Sequence, residues 1–94
     1  MLINLFWDSR EPSRIIVTDL AQSEHFVYIY NGNQDLNHLI ILVNGIRIQE
    51  GDLEPNEQRT VDIARAMQPG HHNTVVAIAR GRQWGEASLV IADS

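Results

Sequence analysis

Residues 38–48 read HLIILVNGIRI: an apolar run from His38 to Val43, then Asn44-Gly45, then Ile46-Arg47-Ile48. Both central residues of a two-residue type I′ turn need positive φ, which Asn tolerates and Gly adopts freely. Apolar runs on either side of Asn-Gly therefore predict an antiparallel hairpin turning at 44–45. Composition extends this reading to the rest of the chain. Eleven Ile and seven Val outnumber eight Leu, and β-branched side chains, stiff at χ1, suit a pleated surface better than a helix.

Towards the N-terminus, Leu2–Trp7 is a short apolar strand ended by the polar DSREPS run with Pro12. Arg14–Leu20 follows, with Ile15, Val17 and Asp19 on one side and Ile16, Thr18 and Leu20 on the other. His25–Tyr30 alternates Phe26/Tyr28/Tyr30 against Val27/Ile29 and stops at Asn31-Gly32-Asn33. Towards the C-terminus, Asp52–Glu57 is a polar loop containing Pro55. Thr74–Arg80 is apolar on both faces, the pattern of a central strand. Gly81–Gly85 is a turn, and Ala87–Ala92 is the last strand, with Ala87, Leu89 and Ile91 on one face.

Residues 57–67, EQRTVDIARAM, admit two readings. One is a helix capped by Asn56 and stopped by Pro69-Gly70. The other is a strand over Arg59–Ile63 followed by one helical turn at 64–67, which Thr60, Val61 and Ile63 favour. The expectation is an all-β chain: an antiparallel immunoglobulin-like β-sandwich of seven or eight short strands. Ninety-four residues support one domain with one thin core. That length also suits a module excised from a longer chain.

Several chemistries are excluded outright. All seven basic residues are arginine, so there is no lysine for a Schiff base or a P-loop. There is no cysteine, hence no disulfide framework, thiolate nucleophile or cysteine-ligated zinc. The net charge is -5, and no window of sequence concentrates the arginines. Nucleic acid and anionic lipid are therefore not expected partners. No apolar run approaches the ~18–20 residues of a bilayer span. The N-terminus has neither the basic n-region nor the apolar length of a signal peptide.

LVNGIRI at 42–48, VDIARAMQPGHHNTVVAIARG at 61–81 and GEASLVIAD at 85–93 together carry a resemblance. They resemble the immunoglobulin-like and related β-sandwich accessory modules of bacterial extracytoplasmic proteins and glycoside hydrolases. The matching positions are Asn44-Gly45, Asp62-Ile63, Pro69-Gly70, Asn73, Val75/Val76 and Gly81. His71-His72 depart from the pattern, which has one residue or none there, and the N-terminal half lies outside it. The resemblance implies a non-catalytic module that contacts neighbouring domains or another protein, within a larger exported protein. Composition alone leaves a cytoplasmic site open as well.

His25, His38 and the His71-His72 pair lack any metal-ligand spacing, and adjacent strand residues point to opposite faces, so exposed turn histidines are expected rather than a metal site. Glu50, Asp52, Glu54 and Glu57 lack the spacing of a calcium loop and suit a solvated segment. No serine has the context of a nucleophile, so neither catalysis nor a cofactor is expected. The aromatics remain. Trp84 sits in Arg80-Gly81-Arg82-Gln83-Trp84-Gly85, where Arg82 and Gln83 are placed to bond sugar hydroxyls around a stacked ring. The competing reading folds Trp84 over the sandwich end or stacks Arg82 on it. Tyr28 and Tyr30 share a face with Phe26 that is either core with a wet rim, the favoured reading, or a binding platform. The leading expectation is thus a structural or protein-interaction module, and the alternative is a carbohydrate-binding module using Trp84, Arg82, Tyr28 and Tyr30. Leu2–Trp7, with Asn4 its only polar residue, is a candidate edge strand open to pairing.

Overall fold

The computed structural model describes residues 1–94. Asn44 (φ 50°) and Gly45 (φ 82°) take the two positive-φ positions of the expected turn. They join strand β4 (Leu36–Val43) to β5 (Ile46–Leu53). Around this hairpin the chain nests outwards. β3 (Phe26–Asn31) pairs with β6 (Gln58–Asp62), β2 (Ser13–Leu20) with β7 (Asn73–Arg80), and β1 (Leu2–Trp7) with β8 (Gly85–Ala92), all antiparallel. The molecule is one long hairpin folded over on itself.

Folding over divides the eight strands into two four-stranded sheets, β1-β8-β3-β6 and β2-β7-β4-β5. Only the Asn44-Gly45 connection stays within one sheet. The sandwich expected from the sequence forms, and its wiring is that of a jelly roll built from two Greek keys. An immunoglobulin sandwich instead groups its strands ABED and CFG. β7 is a central strand, as its two apolar faces require, and β1 is an edge. At 57–67 the strand reading holds: β6 ends at Asp62 and a single 3₁₀ turn spans Ala64–Ala66. The loop expected at 52–57 is shorter, because β5 continues to Leu53, whose side chain is buried in the core.

Three register shifts interrupt the ladders, one between β2 and β7 and two between β4 and β5, and two of them set which leucines face inwards. Val17 pairs with Val75 and Leu20 with Asn73, so β2 carries one extra residue at Thr18-Asp19, where Asp19 has φ 59°. Simple alternation puts Leu20 opposite Ile15 and Val17. The bulge returns it to their side, and it is buried. In β4, Leu36 pairs with Leu53 and Leu39 with Gly51, again with one residue to spare. Leu36, Leu39, Ile41 and Val43 therefore all reach the core, while Asn37 and His38 are left outside it. The core is one cluster of 19 buried hydrophobic residues drawn from both sheets.

The end of the sandwich that holds the hairpin turn is closed by a polar lock. Asn73 is fully buried. Its Nδ2 donates to the carbonyls of Leu20 and Gln68, and its Oδ1 accepts from the Gln68 N–H (2.7 Å) and from Asn44 Nδ2 (2.8 Å). Asn44 Nδ2 also donates to the Ala66 carbonyl, and its Oδ1 accepts the Thr74 N–H. Every polar atom of the Asn73 side chain is thus satisfied, the condition for placing an amide in a core. Asn73→Ala leaves the buried Leu20 carbonyl and the partly buried groups of Gln68 and Asn44 without their partner. It is expected to lower unfolding free energy by about 2–4 kcal/mol, measured by urea denaturation, whereas loss of one exposed hydrogen bond costs about 1 kcal/mol.

Candidate functional site

The loops at 8–12, 32–35, 54–57 and 81–84 gather at the opposite end of the sandwich. Their shape is set from below by Trp7, which is 2% exposed and packs beneath the β7–β8 turn. A Cβ on Gly81 or Gly85 would overlap its indole, so both glycines permit close approach of the turn to the ring. Trp7 Nε1 finds no hydrogen-bond acceptor, so packing alone holds the ring. A turn pressed onto this indole carries Trp84 outwards, 60% exposed.

Alternation along β1 does the rest. Leu5 and Trp7 face the core, so Phe6 faces out and is 54% exposed. The next five residues form a stiff turn. Asp8 Oδ1 accepts the N–H groups of Arg10 and Glu11, both at 2.8 Å, and the Asp8 N–H donates to the Glu11 carbonyl. These two backbone bonds favour the carboxylate and hold the Asp8 pKa below its usual value. Phe6, Trp7, Asp8, Glu11, Pro12 and Trp84 together line a recess of about 160 Å³.

On the other side of the 8–12 turn lies a larger groove, about 490 Å³, bounded by that turn, by Asn37 and His38, and by Arg80–Arg82. The β4 bulge brings Asn37 here, and its Oδ1 accepts the Arg82 N–H at 2.8 Å, tying the β7–β8 turn to the start of β4. His38 Nε2 lies 3.1 Å from Glu50 Oε2, and Glu50 Oε1 accepts from Arg47 at 3.0 Å. Arg47 first, and His38 second, lower the Glu50 pKa.

This architecture is shared with proteins of known structure. The chain is similar in fold to a carbohydrate-binding module. A family 35 carbohydrate-binding module from an environmental isolate superposes with a TM-score of 0.62 at 18% identity, over 90% of this chain and 69% of that one. PirA aligns with a TM-score of 0.59 at 12% identity, over 96% and 92% of the two chains. A family two carbohydrate esterase from Clostridium thermocellum, solved with cellohexaose, gives 0.53 at 15% identity over 95% of this chain, which spans 26% of the esterase. No family model matches the sequence, and no curated protein matches it. At these identities the likeness is one of fold, that of a β-sandwich module.

The four residues singled out from sequence fall into separate places. Trp84 stands beside Phe6, a partner the sequence reading did not assign to the site. Arg82 is on the same turn but lines the groove across the 8–12 loop, and a smaller polar recess with Gln34, Asp35, Asn37 and Gln83. It is not stacked on Trp84, since no cation–π contact forms. Tyr28 and Tyr30 lie on the outer face of β3, opposite Val90 and Ser88 of β8, rather than in the core or its rim. Val27 and Ile29 take the inner face and are fully buried. With Gln58, Arg59 and Thr60 the tyrosines border a shallow depression of their own. Among the histidines, His25 pairs with Asp62 at 3.1 Å and His72 lies 3.8 Å from Asp19. Nowhere do three His, Asp or Glu side chains converge.

Two outcomes follow from this geometry. Gly85→Ala forces a methyl against the Trp7 ring and is expected to cost about 1–3 kcal/mol as overpacking does. It should also shift Trp84 fluorescence, while Trp7→Phe, which removes the unpaired N–H, keeps the fold by circular dichroism. The second outcome concerns pH. Asp8, Glu50, Glu57 and Asp62 all have lowered pKa values: Glu57 through the Glu54 N–H and then Arg59, Asp62 through the Ala64 N–H and then His25. A depressed carboxylate contributes stability above its unfolded pKa and loses it as pH falls through the folded value. The melting temperature should therefore hold down to about pH 4.5 and fall steadily below it. Replacing Glu57 and Asp62 by their amides should flatten that fall.

Proposed function

We propose that the chain is a non-catalytic, carbohydrate-binding β-sandwich module of a larger exported bacterial protein, holding a sugar ring on Trp84 and Phe6. The observation that carries this reading is the pair of half-exposed aromatics at the loop end, framing a recess walled by Asp8 and Glu11. An aromatic face matches the apolar C–H face of a pyranose, and carboxylates held at the edge accept hydrogen bonds from its hydroxyls. The aromatics are exposed at a cost in water contact that a ligand ring would recover. The 8–12 turn is fixed by its own hydrogen bonds and the 81–84 turn by Trp7, so little ordering entropy remains to be lost on binding. Similarity of fold to a carbohydrate-binding module, and to part of an esterase solved with cellohexaose, supports the same class of ligand.

A protein-interaction role has its own support. β1 is an edge strand whose Leu2 side chain is exposed, and such edges accept a further strand. Light scattering across a concentration series distinguishes it, since self-pairing raises the mass and ring stacking does not.

The test of the main reading is a titration with soluble glycans followed by tryptophan fluorescence. Trp7 is buried, so the response reports Trp84. A saturable change is expected with at least one glycan. Trp84→Ala, followed by calorimetry because it removes the reporting indole, should weaken that binding by a factor of about 10–30, the loss typical of an aromatic anchor. Binding that survives Trp84→Ala unchanged, or no response across the panel, overturns the reading.

A further inference from the structure

Of the seven arginines, only Arg47 and Arg59 are in ion pairs. Three of the other five line a single groove: Arg80 and Arg82 from neighbouring positions at the end of β7 and its turn, and Arg10 from the distant 8–12 turn. Across a chain of net charge -5 this is a local reversal of sign. The groove is lined by three arginines and two acidic residues, Asp8 and Glu11, and the Asp8 carboxylate is already engaged by two backbone N–H groups. Both arginine-bearing turns are held: the 8–12 turn by Asp8, and the β7–β8 turn by the Arg82 N–H on Asn37 and by the Trp7 ring beneath it. The groove's one histidine, His38, is directed to Glu50.

We infer that this groove is a subsite for the carboxylate of an acidic sugar, a pyranose whose exocyclic carbon is oxidised. The inference rests on the carbohydrate reading and names the class of sugar. The chemistry selects it in three ways. A guanidinium presents paired N–H donors that match a carboxylate bidentately. The modest positive excess suits one anionic group and not a polyanion, which the acidic remainder of the surface repels. The groove is of ligand size, about 490 Å³. It also shares Asp8, Glu11 and Pro12 with the Trp84–Phe6 recess. A ring seated on the aromatics thus reaches the guanidiniums across the 8–12 turn through its own substituent or the adjoining residue of the glycan.

The experiment compares a trisaccharide containing glucuronic acid with its carboxyl-reduced counterpart, and with the 6-O-sulfated neutral sugar, by calorimetry. The acidic trisaccharide is expected to bind about tenfold tighter than the reduced one at about 50 mM salt, with the advantage shrinking at about 500 mM. In the Arg80→Gln/Arg82→Gln variant the ratio should fall to near one. Arg10→Gln should lower it part of the way. These positions are exposed, and melting curves confirm that the variants fold. Trp84→Ala should weaken both ligands together and leave the ratio in place. Equal binding of acid and neutral sugars, a ratio insensitive to the arginines, or preference for the sulfate over the carboxylate overturns the inference while the carbohydrate reading stands. Failure of all three sugars overturns both, and is recognised because no ratio exists to measure.

Discussion

The contact on which the rest depends joins two asparagines that lie 29 residues apart. Asn44 makes the one connection that stays within a sheet, and Asn73 starts the strand that lies against it. Through Asn73 the hairpin turn is bound to Leu20 at the end of β2 and to Gln68 after the 3₁₀ turn. The amides do what apolar packing does not: they select one register. A slip of one residue turns every inward side chain outwards and leaves the four hydrogen-bonding groups that Asn73 holds without their partner. Because the strands nest around this hairpin, an error there propagates to β3·β6, β2·β7 and β1·β8 in turn.

Locking one end leaves the other end to the loops. Six of the seven connections pass between the sheets, so each loop at the open end must cross the top of the core. Trp7 caps that core as a flat base on which a glycine-flanked turn rests. The same burial that stabilises the sandwich therefore pushes Trp84 into water. Stability and exposure are linked here by one ring and two missing Cβ atoms, and the turn carrying Trp84 cannot be altered without disturbing the packing beneath.

How much of this was legible beforehand depends on the reach of each signal. The Asn-Gly turn, the central character of β7 and the inward face of β8 are local matters of φ and alternation, and they read directly from the residues. The strand at 58–62 also followed, since Thr60, Val61 and Ile63 favour it. Alternation places Leu20 on the wrong side, because a bulge shifts parity without any mark in composition. LINLFW is apolar at every position but one, so alternation alone did not decide that Trp7 goes in and Phe6 out. Nor did it decide that FVYIY sends Val27 and Ile29 inwards and its tyrosines outwards, where burial depends on which sheet covers which face.

The arginines show the same division most clearly. Composition established that every cation is an arginine, that the chain is acidic overall and that no stretch of sequence is basic. Those facts removed lysine chemistry and made polyanions unexpected partners, while the β-sandwich class followed from β-branched content and turn signals. Only the tertiary structure brought Arg10, Arg80 and Arg82 into one groove and set Phe6 beside Trp84. The reason is physical. Strand propensity and turn geometry act over a few residues and are written locally, whereas nesting a hairpin on itself joins residues about seventy positions apart, which are adjacent in no window of the sequence.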